Sequence, residues 1–441
     1  MSGASNGTLA RLGARLQILH QEKVGPWVPT SWTSRHAPTV TQVAASLLIL
    51  ASPWVSTGMN AVLVVALAAC GAVWWLARPG EVFAPSRMAW PVGLFFATLA
   101  IAAAGSPYLT ASLKGLAKFA VYGLAYLTFR RLMAHHPATR IVLASAFVLA
   151  ALGEAAYGLY QFKIKVAPLA TWEDAESGLN LTRVYGSLRN PNLMGAYLAI
   201  AWPAAWALAF ASRGPSRWLG ALALPLIPAC VYVTYSRGAW LALAAEVAVL
   251  GGAWLLAGRR RGRLSRGVQM SLVLLGLAGL AVAAWHLAPT LQARVASMLN
   301  VTGDSSNVFR TQVWRATVAL IRDSWWLGVG IGNDAFRHAY ALYMISGFEA
   351  LGAYNIFLEW WAEAGLPGLV AFVGLLVTVI RVPRWTADDW PWAAAVTAAV
   401  AGLCLHGLVD TVFFRPAVQL GFWWWVAVSA TWPPVTAEDR A

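Results

Sequence analysis

The sequence predicts an all-α polytopic membrane protein, with about 12 transmembrane helices and a large extracytoplasmic loop between helices 9 and 10. Three observations predict it. Of 441 residues, 59% are hydrophobic and 11% charged, where a soluble domain carries roughly 25% charged residues. Several uncharged runs reach roughly twenty residues, the length that crosses about 30 Å of hydrocarbon. Arginines and lysines gather in alternate short loops, the bias of cytoplasmic loops. The short alternating segments of a β-barrel are not the pattern here.

The apolar runs place spans at 41–57, 59–77, 89–105, 112–130, 141–160, 192–211, 218–235, 238–257, 268–287, 354–380, 391–409 and 414–432. Pro203, Pro225 and Pro228 fall inside spans six and seven, where neighbouring helices can satisfy the freed backbone. With the N-terminus in the cytoplasm, the inner segments hold Arg78 and Arg87, Arg130, Arg131 and Arg140, Arg213 and Arg217, the run Arg259 to Arg266, and Arg381 and Arg384. The outer short loops, such as 105–111, are nearly bare. The expected organisation is a cytoplasmic segment 1–40, spans one to nine over 41–287 with an outer loop 161–190, the large outer loop 288–353, spans ten to twelve over 354–432, and a cytoplasmic tail 433–441. The plasma (inner) membrane is the expected location, with both termini inside.

The formal charge of +14 follows from the same loop bias and calls for no nucleic acid. Cys70, Cys230 and Cys404 lie inside spans without metal or disulfide spacing, so no metal and no cofactor are expected. Twenty-five tryptophans and twelve tyrosines suit interfacial belts. Residues 1–40 lack the apolar core of a signal peptide. Leu9, Leu12, Leu16 and Leu19, with Arg11 and Arg15 between them, fit a basic helix on the cytoplasmic surface or an unstructured tail.

The interval from Pro289 to Leu358 breaks the apolar pattern. Within it, Val313, Ala316, Thr317 and Leu320 recur at helical spacing, predicting an amphipathic helix from Arg310 to Arg322 capped by Ser305, Ser306 or Asn307. Gly328, Gly330 and Gly332 imitate a dinucleotide fingerprint, but no strand precedes them. A tight turn with close backbone approach fits better, with an anion-binding nest as the lesser option. Asn355, Glu359 and Glu363 are four apart and share one helix face. Gly365, Pro367 and Gly368 should loosen or kink that helix.

Arginines outside oppose the loop bias and so ask for a reason. They are Arg183, Arg189, Arg237, Arg310, Arg315, Arg322, Arg337 and Arg415. Guanidinium groups bind phosphate or carboxylate with two prongs, so their convergence would make an anion site. The plainer reading is that each snorkels or pairs with an acid such as Asp304, Asp323 or Asp410. Glu154 and Glu246, costly inside spans, are read as arginine partners.

Four features in order now carry a resemblance: Tyr235-Ser236-Arg237-Gly238-Ala239, Phe309-Arg310-x-x-x-Trp314, Leu327-Gly328-Val329-Gly330, and Asn355-x-x-Leu358-Glu359-x-x-x-Glu363-x-Gly365-x-x-Gly368. Together, over about 185–380, they resemble the O-antigen ligase and polymerase superfamily. Ala170-Thr171-Trp172-Glu173-Asp174, Thr182-Arg183-Val184-Tyr185, Asn190-Pro191-Asn192-Leu193 and Ala353-Tyr354-Asn355 look like its cyanobacterial branch, first named as a bicarbonate transporter (inorganic carbon transporter B).

The resemblance implies a membrane-embedded, GT-C-like glycosyltransferase. Its donor would be an undecaprenyl-diphosphate-linked glycan and its acceptor a glycan or lipid, with no nucleotide sugar and no metal. Arg237 and Arg310 match the family's arginine positions and would stabilise the diphosphate as it leaves, with Glu359 grouped with them as catalytic. Arg315, Arg189, Tyr354, Asn355 and Glu363 are the substrate-binding candidates. Ligases carry His immediately before the Asn of the tenth-span motif, where this chain has Tyr354. A phenol of pKa about 10 is a poor base at neutral pH. The alternative is a transporter, or transport accessory, for bicarbonate or another small anion. Against it, the sequence suggests no chain of buried ionisable residues within a span.

Overall fold

The computed structural model describes residues 32–78, 86–169, 182–260, 305–383, 385–386 and 389–432. The basic segment at 9–19, the ninth span at 268–287, the motif at 170–174, the first part of the large loop and the tail 433–441 lie outside the described residues.

Among the described residues there are thirteen α-helices and no strand: α1 Trp32–Ala51, α2 Thr57–Ala77, α3 Ala89–Ala104, α4 Leu109–His135, α5 Thr139–Lys163, α6 Pro191–Ala211, α7 Pro215–Val233, α8 Arg237–Arg260, α9 Ser305–Ser324, α10 Asn333–Tyr340, α11 Ile356–Arg381, α12 Trp390–Gly407 and α13 Pro416–Ala430. Six of them, α2, α5, α6, α7, α8 and α11, are long and apolar enough to cross a membrane. Ten of the twelve predicted spans coincide with a helix, and the ninth lies outside the described residues. The first is displaced: α1 starts at Trp32 and stops at Ala51 rather than running through Pro53. The residue before a proline is pushed out of the helical region, and here Ser52 and Trp54 close a turn onto Leu48 and Ala51.

The bundle is sorted by exposure. α6 and α13 are buried along most of their length, and α12 packs between α6 and α8. α2, α3 and α7 turn Val62, Leu94, Leu222 and Trp218 outward. Such apolar faces suit lipid rather than water. At one end of the bundle Arg131 lies over Trp74 at 4.1 Å and Arg140 over Trp392 at 4.6 Å. The opposite end carries α9 and α10, which form a second apolar cluster from Val313, Leu320, Phe336, Tyr340, Ala353 and Ala362. α10 is not expected from the sequence. Ala335, Phe336, Ala339 and Tyr340 give it one buried face.

α11 is a broken helix. Gly365 sits at φ +66° and ψ −174°. Its broken turn loses the bond from Leu366 to Ala362, and Pro367 has no N–H for the Glu363 carbonyl. The segment before α10 supplies the replacements. Val329 N donates to Ala362 O at 2.8 Å, Gly330 N to Glu363 O at 3.0 Å, and Leu366 N to Trp325 O at 2.9 Å. A Cβ on Gly328 or Gly365 would strike these backbones. The glycine run is therefore a close-approach turn that completes a broken membrane helix.

Candidate functional site

The site is built around residues 406–410, the turn leaving α12. Three long helices begin against it. Asn190 caps α6 by accepting from Asn192 N and Leu193 N, and Asn192 Nδ2 donates to Asp410 Oδ2 at 2.6 Å. α8 starts at Arg237, and a Cβ on Gly238 would meet the His406 ring and Val409. Asn355 caps α11 by accepting from Phe357 N and Leu358 N, and its Nδ2 donates to Leu408 O at 3.1 Å. A helix N-terminus presents unpaired N–H groups and the positive end of its dipole. Three of them around one turn make a region suited to negative charge.

Each start is preceded by a residue in the left-handed region: Arg189 at φ +56°, Tyr235 at +50° and Tyr354 at +51°. Bulky residues pay about 1–3 kcal/mol for such backbone, and it gathers at functional sites. Here it turns the chain sharply into each cap.

Asp410 is the centre. It accepts from Asn192 and from Thr411 N at 2.8 Å, and the Arg310 guanidinium stands 3.7 Å from Oδ2. Arg310 reaches it from α9 and also donates to Ser306 Oγ, one turn back, at 2.9 Å. Arg183 donates to Asn192 Oδ1 and to Thr234 O, both at 3.2 Å, tying the loop before α6 to the start of α8. The acids named in the sequence as possible partners for the arginines thus include the right one, Asp410.

Tyr354 lies just before α11. Its carbonyl accepts from Trp314 Nε1 at 3.4 Å, and its ring meets Phe309 edge-on. Burial pushes the phenol above its ordinary value; the Asp410 charge adds to this and the Arg310 charge opposes it. The phenol therefore keeps its proton at neutral pH.

Glu359 and Glu363 occupy the expected common face and are fully buried. Glu359 Oε2 accepts from Ala353 N at 3.1 Å, and Glu363 Oε2 from Gly332 N at 2.7 Å. The glycine turn thus meets the chain's own Glu363 carboxyl group. The second oxygen of each has no hydrogen-bond partner. Arg315 and Arg189 are exposed, and among the described residues neither is hydrogen-bonded or ion-paired to Asp410.

One expectation is corrected. Glu154 and Glu246 are not arginine partners. Glu154 accepts from Ser187 Oγ and from Ser187 N, so it fastens the loop before α6. Glu246 is buried against Gly402 with both oxygens unpartnered. Glu246 of α8 meets α12 at Gly402, one turn before His406, and Asp410 follows just past the end of α12. His406 is 1% exposed, with neither ring nitrogen partnered.

Sequence reasoning missed His406, Lys114 and Lys118, and treated Asn192 only as part of a motif. The available signals were a His and an Asp four residues apart at the end of an apolar run, and two lysines four apart inside another.

No curated protein matches the chain. The family model described as O-antigen ligase matches residues 220–373. That stretch contains Arg237, Arg310, Tyr354, Glu359, Glu363 and the broken helix, while Asp410 and His406 lie beyond it. The site therefore stands on a multi-pass membrane chain that is similar to O-antigen ligases across its central third.

Proposed function

We propose that this chain is a membrane glycosyltransferase of ligase or polymerase type. It moves a glycan from an undecaprenyl-diphosphate carrier to a hydroxyl of a glycan or lipid acceptor at the outer face of the plasma membrane. The observation that carries the reading is the meeting of Arg310 and Asp410 where three helix N-termini converge, within and beside the stretch similar to O-antigen ligases. The clustering of Arg78, Arg130, Arg131, Arg140, Arg213 and Arg217 at the opposite end supports placing the site outside.

In the reaction, the bond between the sugar's anomeric carbon and the diphosphate oxygen breaks, and the acceptor oxygen takes that carbon. The acceptor proton must leave, and negative charge gathers on the diphosphate. Arg310, Arg237 and the helix N-termini of α6, α8 and α11 stabilise that charge. Tyr354 replaces the ligase His and holds its proton, so the carboxylate of Asp410 is the group left to receive the acceptor's, while the fully buried Glu359 acts through the Ala353 backbone that it fixes. Arg315, Arg189, Asn355 and Glu363 remain positioning candidates, with Asn355 and Glu363 acting through the backbone they fix.

The row Asp410, His406, Glu246 favours a second reading, passage or sensing of a small anion such as bicarbonate with proton movement. One experiment separates the two. The purified chain in liposomes receives lipid-diphosphate oligosaccharides with acceptors in one arm and labelled bicarbonate in the other. Glycan transfer abolished by Arg310→Ala or Arg237→Ala is the expected result. Bicarbonate accumulation with no transfer across a broad donor panel would overturn the enzyme reading.

A further inference from the structure

Lys114 and Lys118 stand in α4 one turn apart and share a face. Lys118 is nine residues past Leu109, about 13 Å along the helix at 1.5 Å per residue. An ammonium at that depth is costly in a spanning helix and marks a cavity or ligand path. Both lysines line a cleft of about 330 Å³, whose third cation is Arg415 at the start of α13. Tyr122, Phe414 and Ala61 of α2 supply apolar wall. Among the described residues no ion pair involves these three cations.

The lysines are held in place. Gly115, between them, lies against the Ile331 carbonyl so closely that a Cβ would not fit. Ile331 N also donates to Ser112 Oγ at 2.6 Å. The cleft adjoins the Arg310–Asp410 centre, since Lys118 acts electrostatically on Glu363, and Arg415 on Glu359 and Tyr354.

We propose that this cleft binds the diphosphate head of a polyprenyl lipid drawn from the outer leaflet, before the head reaches Arg310. Lys114, Lys118 and Arg415 would contact the phosphates, and the isoprenoid chain would lie along the apolar wall between α2 and α4. Three cations match the two or three negative charges of a diphosphate better than the single charge of a phospholipid. Lysine serves as a point charge for phosphate without fixing its orientation, which suits a waiting site. The assignment rests on the lipid-linked donor reading above.

The test is binding of undecaprenyl diphosphate without a glycan to the purified full chain in phosphatidylcholine nanodiscs, read by native mass spectrometry. Lys114→Gln and Lys118→Gln should each weaken binding about tenfold, as loss of one charge-assisted contact implies. Lys118→Arg should keep most of it. Inorganic pyrophosphate and phosphatidylglycerol should displace the lipid poorly. Thermal melting and gel filtration establish that each variant is folded. Wild-type binding by both folded Gln variants, or equal displacement by phosphatidylglycerol, would overturn the proposal. Lysine-dependent binding with no glycan transfer anywhere would keep the cleft and remove the transferase reading. Normal transfer with lysine-independent binding would do the reverse.

Discussion

Arg310 of α9 and Asp410, just past α12, face each other at 3.7 Å, and both side chains are largely buried, at 15% and 10% exposure. A surface pair would contribute little; this one is set where Asn192 and Thr411 already hold the carboxylate. Arg310→Ala and Asp410→Asn should each lower transfer by about 10²–10³-fold. The double variant should be scarcely worse than either single one, because groups that act as a unit are not additive. Initial rates with a lipid-diphosphate donor check this, and simple multiplication of the two losses would count against a shared role.

Tyr354 invites a gain rather than a loss. Histidine tolerates the left-handed backbone better than most residues, and Tyr354 has φ +51°. Tyr354→His should fold and should add an ionisation near pH 6.5 to the rate profile. Tyr354→Phe should leave the profile between pH 6 and 9 unchanged in shape, since the phenol is already held protonated by burial. A new alkaline limb lost in Tyr354→Phe would show the phenol to be the base.

Gly365 makes the break in α11, and its φ of +66° with Trp326 O against it leaves no room for a methyl group. Gly365→Ala should destabilise the chain by about 1–3 kcal/mol, seen as a lower melting temperature. Pro367→Ala should cost less, because Gly330 N already occupies the Glu363 carbonyl. An unchanged melting point for Gly365→Ala would remove the close-approach account.

Tyr340 gives a pH test of the α9–α10 unit. Burial, with Glu349 and Tyr354 adding to it, pushes its phenol up to about 12, and its hydroxyl donates to Phe348 O at 2.8 Å. A raised value means stability that is complete below about pH 10 and lost as pH rises through about 12. Hydrogen exchange across 333–348 should rise over that window. In Tyr340→Phe the rise should be smaller, against a baseline about 1 kcal/mol less stable.

Much of this was legible because it is local. Uncharged runs locate the helices, the spacing of Val313, Ala316, Thr317 and Leu320 gives α9 its buried face, and Gly365 with Pro367 announces the break. What escaped depends on partners distant in sequence. Asp410 could be named as an acid near arginines, but its bond to Asn192 joins residues 218 apart. Lys114 and Lys118 were missed because Gly332 and Arg415, which form the cleft with them, lie far along the chain. α1 was misplaced because hydropathy outweighed Pro53.

The three left-handed turns before Asn190, Ser236 and Asn355 place helix starts, and so peptide groups, around Asp410. A site written in peptide groups does not change when side chains do. On the transferase reading proposed above, exposed side chains such as that of Arg315 can drift to suit a different sugar while the frame that meets the phosphate stays put. Diversity of glycan and constancy of carrier would then be inherited separately, one in side chains and the other in the path of the main chain.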